Sequence, residues 1–358
     1  MPVSWLPAHR PAWAQWRIPD REALWAVRIS EDVMAVSASG ELVRLGIGAT
    51  EVLHPLLNSH LGQASDGSVL KLSTSWQTNL AAALAELALV RSELLTALRT
   101  SSDLGAAASG THPWAEDVST GRRSGYGQAL GADSFTWGLR VAVLCPSPHV
   151  AIQAFDSLVP HVPLLLALSA NSPYWQGRAS ALASTRTALR ARLAQHGLPR
   201  TFGTFDAYIE TIEALVRTRV IAGPGALGWD VQLLPEEGAI EISVMDAQTR
   251  VADIGGIAAL VQCLVRLYAE REAPAPFAIP EILEANRVLA ARMGMRAQLA
   301  DPGGAFAQPA RDELAGSLRT ATDPGYARQQ SAAGAGLAGL VAQLSSEFSE
   351  GNVHYAAA

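Results

Sequence analysis

The spacing of apolar and polar residues changes period several times along this chain, and each change marks an element. Leu80, Leu84, Leu87, Leu94 and Leu98 recur at helical spacing, with Glu86, Arg91, Glu93 and Arg99 outside the stripe, which predicts a core helix over 78–99. Residues 24–48 read as a hairpin: an apolar run, a turn at Ser37-Ala-Ser-Gly40, then a short return strand. Residues 67–74 alternate in strand fashion, 105–109 form a small-residue strand and 138–145 a buried one. Strands over 230–234 and 239–245 flank Pro235-Glu-Glu-Gly238, a second hairpin. Further helices are expected over 147–170, interrupted at Pro160 and Pro163, and over 180–195, 205–220, 250–271, 280–297, 308–319 and 327–348. Residues 114–131 are polar and glycine-rich and read as a loop.

Strands drawn from distant parts of the chain and separated by long helices predict an α+β fold, an antiparallel sheet with helices on one side. The expected division is an extended arm over 1–22 (Pro2, Pro7, Pro11 and Pro19 with Trp5, Trp13 and Trp16), one domain over 23–350 and a flexible tail over 351–358. A net charge of −6 without a block of basic residues argues against nucleic acid and against an anionic membrane surface as partners. Cys145 and Cys263 are too few for a disulfide scaffold or a structural zinc site, and both are expected as buried, inert thiols. No signal peptide and no uninterrupted apolar span of membrane length is legible, so the expected location is the cytoplasm.

Several short motifs lie in one order. Gly110-Thr-His-Pro-Trp114 resembles a GTHP(F/W) turn, and Leu164 to Arg178 resembles an LLALSA(S/N)SPFWxGR block with a further arginine at Arg186. His196-Gly-Leu-Pro-Arg-Thr-Phe202, Trp229-Asp230, and the series Asn286, Ala291-Arg292, Gly294 and Asp301 continue it. In this order and spacing the chain resembles the bacterial carboxylate–amine ligases (glutamate–cysteine ligase type 2), over about residues 25 to 345. The resemblance implies a bent antiparallel sheet packed by helices, a glutamine-synthetase-like catalytic fold. It also implies a reaction in which ATP and magnesium activate a carboxylate as an acyl phosphate, and self-association into a dimer or larger assembly.

Against the same motifs the chain has lost charges. Anchored on the Ser39-Gly40 turn, the strand GVEEEF of the family falls on Val27-Arg28-Ile29-Ser30-Glu31, where only Glu31 remains acidic. VE(V/I)AT reads Leu70-Lys-Leu-Ser-Thr74, placing Lys71 at a carboxylate position. G(C/M)HVHVGV reads Gly138 to Cys145, with Arg140 and Ala142 replacing both histidines. The arginines of WDxR and VE(I/V)RxxD are Gln232 and Ser243, while Glu241 and Asp246 survive. Magnesium requires oxygen ligands, and a lysine or arginine at its site repels it or stands in for it. No metal is therefore expected. Cofactors are none, or ATP and magnesium if ligation persists.

The candidate catalytic acids are Glu241, Asp246 and Glu31; Glu241 and Asp246 also read as solvated strand-end carboxylates. Arg186 and Arg292 are candidates for holding a small carboxylate or amino acid, or form structural salt bridges. His112 lines the pocket or stabilises its turn. Trp175 packs the sheet or stacks on a ligand, and Lys71 and Arg140 supply counter-charge. The function expected from this set is a pseudoenzyme subunit or a repurposed small-acid-binding protein, partnered by itself or by an active paralogue. The alternative is an active ATP-dependent carboxylate–amine ligase with an unusual amino-acid substrate. Convergence of Glu31, Glu241 and Asp246 in one pocket would favour the enzyme.

Overall fold

The computed structural model describes residues 10–45, 60–63, 69–115, 135–193, 196–271, 278–303, 307–309, 325–333 and 336–350. Its spine is strand β1 (Val27–Val36), which is long enough to belong to two neighbouring sheet regions. In its first half β1 pairs antiparallel with β4 (Leu70–Ser73) on one side and β6 (Leu139–Leu144) on the other. Past Val33 it pairs instead with β2 (Leu42–Val43) and β5 (Gly105–Ala107). β3 (Leu61–Gln63) extends the sheet beyond β4; the hairpin β7 (Val231–Leu234) and β8 (Ala239–Ile242) extends it beyond β6. The exchange of partners along β1 bends the sheet, and every pairing in it is antiparallel.

Helices cover one face. α1 (Leu80–Ser102) starts at Asn79, whose side chain accepts from the Ala81 amide, and ends at Asp103 in the left-handed conformation. α2 (Pro148–Leu158) and α3 (Val162–Ser169) are separated by a single 3-10 turn, where Pro160 and Pro163 interrupt the expected long helix. α4 (Thr185–Arg190) is shorter than its basic stretch predicts, and α5 (Phe205–Arg217) is capped by Thr204. α6 (Val251–Ala269) packs on α1 and α2, and α7 (Pro280–Met293) on α3. α8 (Gly325–Ala332) and α9 (Gly336–Glu350) close the end near β5. The helix expected over 308–319 lies almost wholly outside the described residues, as does most of the 114–131 loop.

Alternation along the strands sorts side chains between the two faces. Val27, Ile29, Val141, Val143, Ile240 and Ile242 point to the helices and form the larger core with α2, α3, α5 and α6. A second core joins Val33, Leu70 and Leu72 to α1 and α9. Two stretches, Pro148–Ser169 and Val251–Ala269, are long and apolar enough to cross a membrane; the first is 78% buried against the sheet and the second 44%. Cys145 is buried as expected, but Cys263 is exposed, because it lies on the side of α6 turned away from α1 and α2.

Candidate functional site

The opposite face of the sheet is polar. Arg28, Ser30 and Asp32 of β1, Lys71 and Ser73 of β4, Arg140 of β6, and Gln232 and Glu241 of the hairpin share it. Asp32 accepts both guanidinium nitrogens of Arg140, at 2.9 and 2.8 Å, and the Gly138 amide at 2.9 Å. Although burial works against its charge, Arg140 and these hydrogen bonds hold its pKa below the usual carboxylate value. Arg28 makes a two-pronged pair with Glu237 and stacks over the Trp76 ring at 4.7 Å. Glu241 accepts from the Gln232 amide at 2.9 Å. Lys71 makes no ion pair within 4 Å among the described residues.

A cleft of about 320 Å³ opens on this face, lined by Arg28, Lys71, Gln232, Glu237 and Glu241 together with apolar residues of α5 and the following turn. The N-terminal arm forms one wall. Trp13 lines the cleft and donates to Glu213 at 2.6 Å, Trp16 stands edge-on to Phe205, and the Arg17 amide bonds the Pro235 carbonyl.

The three acids singled out from the sequence do not converge. Glu31 points to the helix face, because β1 alternates and Arg28, Ser30 and Asp32 take the polar side. There it receives Arg91 Nε at 2.7 Å and Nη2 at 2.5 Å, with both side chains fully buried. Arg91 therefore belongs to the buried side of α1, contrary to its expected place outside the stripe. Asp246 sits in a buried loop junction, accepting from the Asn171 amide, Ser172 Oγ and Ser184 Oγ at 2.7–2.9 Å. Burial pushes its pKa up despite Arg186 at 3.9 Å. Only Glu241 of the three faces the cleft.

Arg186 is buried beneath Gly138, with Nη1 bonded to the Val244 carbonyl and Nη2 to that of Ser243. Burial, with Arg190 nearby, depresses its pKa to about 9. A Cβ at position 138 would collide with this guanidinium, so Gly138→Ala is expected to destabilise the protein by about 1–3 kcal/mol, read from urea unfolding. Arg292, paired with Arg186 in the expected carboxylate clamp, is instead exposed on α7. The buried arginine of that helix is Arg287, which binds Asp230 at 2.6 Å and escaped the sequence reading. Trp175 is half-buried, edge-on to Phe135 and against Leu189 and Leu193. His112 is a turn residue: its Nδ1 accepts the Ala115 amide at 3.0 Å and that of Trp114, so Nε2 donates to the Gly40 carbonyl.

The fold, an antiparallel sheet packed by helices, is that of glutamine-synthetase-like ligases among solved structures. A bifunctional glutathione synthetase from Pasteurella multocida aligns over 92% of this chain and 53% of its own, with a TM-score of 0.66 and 12% identity. A glutamate–cysteine ligase from Francisella tularensis, solved in complex with AMP, aligns over 97% and 91%, also at TM-score 0.66 and 12% identity. The sequence profile of Glutamate-cysteine ligase family 2 (GCS2) matches residues 23–346, and the chain belongs to that family. A Rubrobacter xylanophilus relative named glutamate–cysteine ligase 2-3 is 37% identical over 185 residues, 51% of this chain and 50% of that one. A Gloeobacter violaceus relative named glutamate–cysteine ligase 2 is 36% identical over 170 residues, 46% and 45% of the two chains. The matched stretches span about half the length of these relatives.

The donor set of the polar face does not fit a magnesium–nucleotide site. Asp32 is committed to Arg140 and the Gly138 amide, and Glu241 shares its surroundings with the Lys71 and Arg140 charges. Among the described residues no three His, Cys, Asp or Glu side chains group as a metal site would need.

Proposed function

We propose that this chain keeps the frame of its ligase family without its ATP- and magnesium-dependent ligation, and acts in the cytoplasm as a pseudoenzyme subunit or a repurposed small-molecule-binding protein. The Arg140–Asp32 pair carries this reading. A guanidinium bound through both nitrogens occupies the carboxylate best placed to hold a cation, and Lys71 adds a second positive charge on the same face. Phosphoryl transfer depends on cations placed at the phosphates, and it is electrostatics that the substitutions here alter. The partner in this reading is a second copy of the chain or an active paralogue. Phosphate release from ATP with magnesium and mixed amino acids is expected to match the protein-free rate. Release that needs an amino acid and is lost in Glu241→Gln would overturn the proposal.

The competing reading, an active ligase with an unusual amino-acid substrate, needs Asp32 and Glu241 as its metal donors and therefore needs Arg140 to withdraw from Asp32. Observation of that withdrawal with nucleotide bound would favour it.

A further inference from the structure

Lys71 is the single lysine of this chain; every other basic residue except histidine is an arginine. It is also placed unlike a surface lysine. It lines the cleft on the polar face, is half-buried, and has no ion pair within 4 Å among the described residues. The charged groups that bear on it are Arg140 of β6, Arg28 and Asp32 of β1 and Glu241 of β8. Asp32 and Arg28 are each committed to another partner, whereas Glu241, among the described residues, is held by the Gln232 side-chain amide.

A lysine differs from an arginine in one chemical respect that matters in such a place: it can lose its proton and become a nucleophile. We propose that Lys71 is a reactive amine that takes a small neutral aldehyde as a reversible imine, with Glu241 carrying the proton. In the step, the free amine attacks the carbonyl carbon and a C–N bond forms. The nitrogen loses a proton, and the oxygen gains one to give a carbinolamine. Glu241, which has taken up the proton that the Lys71 ammonium gave up to become the free amine, then protonates that hydroxyl, which leaves as water while the C=N bond forms. The Glu241 carboxylate takes back the remaining N–H proton, so aldehyde and amine give imine and one water, with no oxidant or reductant.

The class of ligand follows from the lining. Arg28 and Lys71 face Glu236, Glu237 and Glu241, leaving a net negative lining, more so when Lys71 is the free amine, which disfavours an anionic oxo acid. Trp13, Tyr208, Ile212 and Leu227 supply an apolar wall for the rest of the molecule. Burial and the Arg140 and Arg28 charges push the Lys71 pKa down, against the pull of Glu241 and Asp32, which raises the share of free amine.

The inference extends the repurposed-site reading and is separable from it, because the test uses neither nucleotide nor magnesium. The full chain is incubated with benzaldehyde and cyanoborohydride near neutral pH, and adducts are located by peptide mass mapping. The internal standard is the α-amino group of the same chain. An unperturbed lysine carries roughly 400-fold less free amine than an α-amino group at that pH. Lys71 is expected to label severalfold or more faster than that ratio allows, and to lose this advantage in denaturant. Glu241→Gln is expected to slow it about fivefold or more, within the range general acid–base groups supply. Glyoxylate should label Lys71 more slowly than benzaldehyde. Lys71 lagging the α-amino group by hundreds-fold in the folded chain would overturn the proposal. So would an unchanged rate in Glu241→Gln, or glyoxylate labelling faster than benzaldehyde.

Discussion

Arg91→Leu is expected to lower the unfolding free energy by about 3–5 kcal/mol, the largest single-site effect in the molecule. Arg91 enters the core from α1 and meets Glu31 from β1 with neither side chain exposed. Its remaining donors reach the Thr249 and Gln248 carbonyls, and the guanidinium lies 4.2 Å from the centre of the Phe348 ring. One residue therefore joins the sheet, the entry to α6 and the last helix. Removing it leaves a carboxylate buried without a counter-charge, and domains of this kind have only about 5–15 kcal/mol to lose. The double variant Glu31→Leu/Arg91→Leu should recover part of the loss, since no charge then stays buried; the two carbonyls still lose their donor. Urea unfolding of the three proteins gives the comparison. A double variant no more stable than Arg91→Leu would contradict this account.

The second large effect is a pH dependence. Burial lowers the His112 pKa to about 4, against the opposing influence of the Gly40 carbonyl and of Glu41. In the folded chain the ring is neutral, with Nδ1 accepting two backbone amides; a proton there would face two N–H donors. The unfolded chain takes up that proton near the ordinary value of about 6.5, so below it the unfolded state binds more protons. The contribution of His112 is complete above about 6.5, falls as the pH drops, and levels off below about 4. The span corresponds to about 3 kcal/mol. The stability difference between wild type and His112→Gln, which cancels most of the carboxylate titrations, should shrink by that amount across the window. A difference that stays constant with pH would contradict the assignment.

The antiparallel sheet with helices on one side, both hairpins, and most helices were legible because their apolar periods are clean. Faces were harder. Anchoring β1 on the Ser39-Gly40 turn located the strand but gave Glu31 a functional role. The apolar positions Val27, Ile29 and Val33 already put residue 31 on the helix face, and Arg28, Ser30 and Asp32 on the other. Arg91 hid for a related reason. Charge was read as exposure, although position 91 lies seven residues from both Leu84 and Leu98 and so shares their side of α1. The Arg140–Asp32 and Arg287–Asp230 pairs span 108 and 57 residues, and no local spacing announces such contacts. Lys71 was legible as a substitution, but its place in a cleft beside Glu241 required the register of four strands.

The central claim is that this polar face no longer binds nucleotide through magnesium. Calorimetric titration of the full chain with ATP and a non-hydrolysable analogue, each with and without magnesium, tests it most directly. The account predicts no magnesium-dependent binding of either nucleotide. Saturable binding that requires magnesium, weakened by Glu241→Gln or Asp32→Asn, would contradict it.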